Sequence, residues 1–311
     1  MYFVATDGRP RSVVNVHRCW ALALIAGCGF DVTAGSAVDD GGRSDGSQSD
    51  GAIDGAPIDM STDMNTPSMD QDNDTIVDAQ DNCVAIANTN QRNHDGDPFG
   101  DSCDRCPHLV STTDLDGDQD GVGDACDPRP SEGGDVRVLW AGFYEATEIN
   151  GWSGQGAFTV VDVGGHGYLQ QATSNTSGYA PPTNVDRPFV MTEVVIDSVI
   201  DVNLSFGLAV NTPTNTQYEC SISRTGSNSV VRARINGVAQ DTTTWPNTLA
   251  AGQRIQFRFD MSNDVDCGVV QGGTTVSALQ VADANPLGRT FVGTQGIAVR
   301  FDYLFVVDVG P

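Results

Sequence analysis

The sequence predicts a mainly β protein, an antiparallel β-sandwich over residues 135–311, preceded by irregular, Asp-rich, disulfide-linked repeats. Three observations carry this prediction. Residues 29–135 hold 25 acidic and 4 basic side chains, a net of −21, whereas residues 136–311 hold 15 and 9, a net of −6. Strand-like alternation begins only after the acidic stretch: Leu204, Phe206, Leu208 and Val210 share one face, as do Ile255, Phe257 and Phe259. Within the acidic stretch, Cys83 and Cys103 lie 20 residues apart, and so do Cys106 and Cys126. The chain of 311 residues has room for about two domains. Its net charge is −25, and all 16 cationic residues are Arg. Such an acidic field argues against nucleic acid or an anionic membrane surface as partner and favours cations.

Residues 1–27 read as an export signal. Arg9, Arg11 and Arg18 precede the short apolar run CWALALIAG, which is too short to span a bilayer but fits the core of a signal peptide. Ile25-Ala26-Gly27-Cys28 resembles a bacterial lipobox, in which small residues precede a Cys that is lipidated and begins the mature protein. The resemblance implies a lipid anchor to the membrane at Cys28. Because Gly29 rather than Asp follows, it also implies transfer to the outer membrane or cell surface. The alternative is a cleaved secretory signal with an incidental Cys, hence a secreted protein. Residues 28–69 are Gly-, Ser- and Asp-rich with few bulky apolar groups. They cannot offset the entropy of ordering, so an acidic, disordered tether is expected.

Residues 70–130 pose the sharper question. The stretch DLDGDQDGVGDACD at 114–127 contains six Asp and almost nothing apolar. It is either a solvated acidic tract or a cage for a hard cation, which takes six to eight oxygen ligands. Spacing favours the cage. Asp116, Asp118 and Asp120 alternate, Gly121 permits a sharp turn, Val122 offers a carbonyl, and Asp124 and Asp127 return. These are positions 1, 3, 5, 7, 9 and 12 of a loop, the order used for calcium. The pattern occurs twice more, as Asp70, Asp72, Asp74, Ile76, Asp78, Asp81 and as Asn93, Asp95, Asp97, Phe99, Asp101, Asp104. Thr75 and Pro98 replace the turn glycine and Asn93 replaces the first Asp. The third loop is therefore the most complete and the second the weakest. With Cys19 in the export signal and Cys28 set aside, six of the eight cysteines remain, the four named above plus Cys220 and Cys267, and in an exported protein they suggest three disulfides. The Cys103–Cys106 pair in CDRC admits a redox or zinc reading as the lesser alternative, because each cysteine has a partner at the repeat distance. Lacking an apolar core of its own, the segment needs disulfides and metals in its place.

The stretch DQDNDTIVDAQDNCVAIANTNQRNHDGDPFGDSCD resembles the thrombospondin type 3 repeat. Asn82, Cys83, Asn88, Gln91, Gly100, Asp101, Cys103 and Asp104 match its pattern. Val84 stands where the pattern has Pro, and the second unit keeps Cys106-Pro107 but has Ser111 and Asp114 for Asn and Gln. The resemblance implies calcium wrapped by irregular loops with neighbouring cysteines joined. With the spacing, it gives the pairs Cys83–Cys103 and Cys106–Cys126, leaving Cys220–Cys267. An EF-hand would want Glu at position 12 and flanking helices; these loops end in Asp and are flanked by Pro and Gly.

In residues 135–311, strands are expected at 136–140, 156–163, 189–200, 204–210, 217–223, 229–235, 255–259, 266–271, 275–281, 296–301 and 303–309. INGV and TQGI supply turns, and no helical period is convincing. Many short strands at close spacing argue an antiparallel sandwich. GWSGQGAFTVVDVGGHGYLQQ near its start and GIAVRFDYLFVVD at its end look like a concanavalin A-like jelly roll, the kind found in lectins and laminin G-like modules. Cys220 and Cys267 fall on strands compatible with a bridge between neighbours. Some jelly rolls of this type cleave glycans with paired carboxylates. Here Glu193, Asp197 and Asp201 are spaced by four, about 13 Å along a strand, and cannot pair within it. They read as a solvated face opposite Val194, Ile196 and Ile200. His166 reads as a turn residue, and Trp140, Trp152 and Trp245 as core more readily than as sugar platforms. The expectation is a calcium-binding, lipid-anchored surface protein whose sandwich meets a glycan or protein ligand. A glycan-active hydrolase and a purely structural spacer are the alternatives. Paired carboxylates within about 6 Å in a groove on the concave face would favour the hydrolase; aromatics without such a pair would favour binding.

Overall fold

The computed structural model describes residues 69–173, 176–262, 264–280 and 287–310. The export signal, Cys28 and the tether up to residue 68 lie outside the described residues. Residues 69–135 form turns and bends without strand or helix. Seventeen strands follow among the described residues: β1 Val136–Ala141, β2 Ser153–Gln155, β3 Phe158–Asp162, β4 Gly167–Gln171, β5 Ser177–Ala180, β6 Asn184–Val185, β7 Pro188–Val199, β8 Leu204–Asn211, β9 Gln217–Thr225, β10 Asn228–Ile235, β11 Val238–Thr244, β12 Arg254–Asp260, β13 Val265–Gln271, β14 Thr274–Gln280, β15 Gly288–Gln295, β16 Ile297–Phe301 and β17 Leu304–Asp308.

They make two antiparallel sheets packed as a jelly-roll sandwich. The first runs β14-β13-β12-β7-β16-β4-β3; β17 also pairs with β7 and carries β1 on its other edge. The second runs β11-β10-β9-β8-β15-β5-β2, with β6 paired to β15. Alternation decides what faces inward. Leu204, Phe206, Leu208 and Val210 of β8 meet Ile255, Phe257 and Phe259 of β12 in one buried core. Phe206 and Phe257 touch edge to face across the sheets, centroids 5.7 Å apart. Trp152 and Trp245 are buried in this core, so neither is a platform for sugars. INGV forms the β10–β11 hairpin, with Asn236 and Gly237 both at positive φ, the requirement of a type I′ turn. TQGI does something different: β15 and β16 belong to opposite sheets, so this turn is a corner between them.

Three features differ from the sequence reading. Six strands were not anticipated, namely β2, β4, β5, β6, β11 and β15. They are short, or rich in Gly and Thr, and carry little apolar alternation. Cys220 and Cys267 are bonded, but β9 and β13 belong to facing sheets, so the bridge joins the two layers. The sheets converge at this edge, where the Thr243 hydroxyl of β11 donates to the Ser277 carbonyl of β14 at 2.8 Å. Ile200 is 49% exposed, because β7 bulges where it pairs with β16 and ends at Val199.

The acidic repeats lie on the outer face of the first sheet. Cys106, Val122 and Cys126 form a second buried cluster with Phe189 and Met191 of β7 and with Tyr303, Phe305 and Val307 at β17. β7 and β17 are therefore apolar on both faces, one toward the core and the other toward the repeats. Burying each such side chain contributes roughly 1.5–3 kcal/mol. The repeats thus borrow the apolar core they lack.

Candidate metal loops and ligand cleft

The three acidic loops share one hydrogen-bond plan at an interval of 23 residues, which carries Asp70 to Asn93 and Asn93 to Asp116. At the fifth position, Asp74, Asp97 and Asp120 accept the amides of Ile76, Phe99 and Val122. Their second oxygens accept the amides of Asn88, Ser111 and Gly134. At the ninth position, Asp78, Asp101 and Asp124 accept the amides of Gln71, His94 and Gly117. At the twelfth, Asp81, Asp104 and Asp127 accept the amides of Cys83, Cys106 and Arg129. The fourth position takes positive φ throughout, at Asn73, Gly96 and Gln119. The sixth does so at Thr75 and Gly121; Pro98 cannot, so the second loop turns without it.

This plan leaves specific oxygens without a hydrogen donor. Asp72, Asp95, Asp104, Asp127 and Asp135 each hold one buried, unpartnered carboxylate oxygen, and Asp118 holds two. Such atoms are costly unless a cation meets them. The oxygens converge in four clusters: Asp70, Asp72 and Asp74; Asp95, Asp97 and Asp104; Asp116, Asp118 and Asp120; and Asp120, Asp127 and Asp135. All-carboxylate clusters suit a hard cation. Asp78, Asp81, Asp101 and Asp124 stand outside these clusters. Asp101 is occupied differently: its second oxygen accepts Trp140 Nε1 at 3.2 Å and the Tyr144 hydroxyl at 2.8 Å, which ties the second loop to the sandwich. Asp135 was missed by the sequence reading. Its signal was position: it follows Gly134, which stands 14 residues after Asp120 as Asn88 and Ser111 stand after Asp74 and Asp97. Burial, with the neighbouring Asp97 and Asp95 carboxylates adding to it, pushes Asp104 up to about 7. Burial likewise raises Asp127, beside Asp135.

Cys83–Cys103 and Cys106–Cys126 close the repeats. The residues matching the repeat pattern form one network between them. Asn82 donates its backbone amide to Gln91 Oε1 and accepts from Asn88 Nδ2, while Gln91 Nε2 reaches Asp81. Gly100 lies against the Asn82 amide, and a Cβ there would overlap it.

The sandwich carries a cleft of about 200 Å³ on the outer face of its second sheet. Its floor is a row of small residues in register across β5, β15, β8 and β9: Gly178, Gly293, Gly207 and Ser221. One strand further, Arg232 of β10 pairs with Ser221. Phe291, Ala209, Glu219 and Arg234 form the next row, also in register. Glu219 is held by Arg234 at 3.2 Å and by the Ser221 hydroxyl at 2.6 Å. A second cleft, containing Arg224 and Arg232, shares Ser205, Arg234 and Gln295 with the first and extends it. Among the described residues lining the two, Glu219 is the only carboxylate. Elsewhere, Glu193 and Asp197 are paired with Arg254 and Arg300 on the first sheet.

A third cavity, of about 410 Å³, lies where the second acidic loop meets the sandwich, lined in part by His94, His108, His166, Glu193, Arg254 and Asp302. His166 sits in the β3–β4 turn, as expected, but its Nε2 lies 2.5 Å from Asp302 Oδ1. Burial, with His94 and Arg137 adding to it, pushes His108 down to about 3. That ring is neutral, packed against Tyr303 and Phe305.

No protein-family model matches the chain, and no curated protein matches it. The fold and loops define a jelly-roll sandwich bearing disulfide-linked acidic repeats. Among solved structures it is similar to a protein of unknown function with a galectin-like fold from Bacillus subtilis, at 8% identity and TM-score 0.42, covering 56% of this chain and 97% of that one. It is also similar to a legume lectin-like domain from Entamoeba histolytica, at 11% identity and TM-score 0.42, covering 56% of this chain and 99% of that one. A carbohydrate-binding module from Bacillus subtilis shows 10% identity and TM-score 0.37, covering 49% of this chain and 92% of that one.

Proposed function

We propose that this is a calcium-binding cell-surface protein, lipid-anchored through Cys28, whose sandwich binds a glycan. Its acidic loops are read as thrombospondin type 3-like repeats, and calcium is the cation that would meet their unpartnered carboxylate oxygens. The observation that carries the ligand assignment is the cleft floor of Gly178, Gly293, Gly207 and Ser221, walled by Phe291, Glu219 and Arg234. Gly178 and Gly293 are not forced by packing, since a Cβ at either would meet only ordinary contacts, 3.8 Å and 3.6 Å from backbone oxygens. Their lack of side chains keeps the floor open. An open floor of small residues beside one ring and one charged pair suits a sugar, which offers hydroxyls and an apolar face. Retaining hydrolysis needs a second carboxylate about 5–5.5 Å from the first, and Glu219 has none beside it among the cleft residues. Arg224, Arg232 and Arg234 against a single Glu favour an acidic sugar.

The test is a glycan-array screen of the calcium-saturated chain beside its Gly293→Val variant. We expect selective binding by the parent and at least a tenfold loss in the variant, with its melting temperature little changed. Equal binding by both would move the ligand site elsewhere. No glycan binding by the parent, with capture of a surface protein through the same cleft, would replace the sugar by a protein ligand.

A further inference from the structure

Three of the chain's four histidines, His94, His108 and His166, line one cavity, the fourth being His17. They come from separate segments: His94 from the second acidic loop, His108 from the turn after Cys106, and His166 from the β3–β4 hairpin. Asp302 joins them from the turn between β16 and β17. We infer that His94, His166 and Asp302 form a site for one transition-metal ion, zinc by chemistry, at the seam between the second repeat and the sandwich. One ligand atom from each lies within 4.8 Å of the others. Two imidazoles and a carboxylate are a donor set for zinc, whereas calcium seeks six to eight oxygens.

The supports of the site are already set. His94 is edge-on to Trp140, Tyr144 and Tyr303, and its backbone amide is fixed by Asp101. Asp302 is anchored by its amide to the Glu193 carbonyl at 2.8 Å and by Arg254 on its second oxygen. That leaves Oδ1 to face both rings, 3.6 Å from His94 Nε2 and 2.5 Å from His166 Nε2. Donor atoms around a tetrahedral zinc lie about 3.4 Å apart, from bonds of about 2.0–2.1 Å. The His94–Asp302 separation fits as it stands. His166 must withdraw by about 1 Å, and it is 32% exposed on a hairpin whose tip holds Gly164 and Gly165 at positive φ. The fourth position opens on the cavity. A hydrogen-bonded clip between loop and sandwich would need only His166, Asp302 and Arg254. It would leave His94 Nε2 turned to the same Asp302 oxygen at 3.6 Å, beyond hydrogen-bond reach, a separation that an ion between them explains.

The experiment is titration of the full, calcium-saturated chain with zinc and with cobalt(II) as a spectroscopic stand-in. Calcium keeps the acidic loops filled, so the nitrogen-containing site is read alone. One equivalent is expected to bind at micromolar metal, with the visible absorption of four-coordinate cobalt. His94→Gln and His166→Gln should each weaken binding by about 100-fold while hydrogen exchange across β16 and β17 stays as in the parent. His166→Cys, which keeps a ligand atom at that place, should restore binding with a sulfur-to-cobalt charge-transfer band. No zinc uptake at micromolar concentration, or uptake unchanged in both Gln variants, would overturn the site. So would failure of the Cys variant to bind while folded.

Discussion

At Asp120 a single carboxylate serves three backbone amides and two acidic clusters. Its oxygens accept from Val122, Gly134 and Asp135, and it belongs both with Asp116 and Asp118 and with Asp127 and Asp135. Asn93, in contrast, accepts only the Gly96 amide and donates to the Asp97 carbonyl. Asp120→Ala should therefore cost on the order of 3 kcal/mol of stability in calcium, and Asn93→Ala about 1 kcal/mol; calorimetry of the two variants checks the order. Asp104 gives the pH dependence. Its carboxyl stands at about 7 in the cation-free chain against an ordinary 3.8, raised chiefly by burial. A group raised on folding stabilises fully below its unfolded value, and that contribution is lost as pH rises through the folded value. The cation-free repeats should thus be held better near pH 4 than above about pH 7. On the proposed calcium reading the ion must displace this proton, so calcium affinity should fall as pH drops from about 8 to about 6. Isothermal titration at several pH values would show it, and a flat profile would contradict it.

Elements differ in how openly the sequence declares them. β8 and β12 were legible because every second side chain is apolar and all of those are buried. β15, GRTFVGTQ, was not: its inward residues include Gly288, Thr290 and Thr294, and Gly293 serves the outer face. The acidic loops were legible from spacing, because Asp side chains there bond amides at short, fixed offsets. The cleft and the histidine cluster were not, because strand pairing over long separations brings those residues together. One signal was present and unread. PFVMTEVVI and LFVVD are apolar at consecutive positions, as only strands covered on both faces can be. The cover is the repeats themselves. Chelation should loosen residues 70–127, whose carboxylates then repel, and uncover Phe189, Phe305 and Val307. The core of β8 and β12 contains none of the clustered carboxylates. Hydrogen exchange with chelator should rise across the repeats and stay slow in β8, β9 and β12. At the same time a dye for apolar surface should bind. Loss of protection in both regions together would mean that the loops and sandwich unfold as one.

At the scale of the whole molecule, the two sheets have unlike outer faces. The first is roofed by the repeats, with the histidine cavity at the seam. The second carries the open cleft. Three covalent bridges run through this arrangement, closing stretches of 20, 20 and 47 residues. On the proposed lipid anchor and cleft ligand, the protein would be held at one end and pulled from elsewhere, and the bridges would set how it responds to tension. A chain drawn out from its ends cannot release the length inside a closed loop. At about 3.3 Å per extended residue, the bridges withhold on the order of 290 Å of reach. Under load the molecule would act as a short, stiff link, and only reduction of its disulfides would turn it into a long, yielding one.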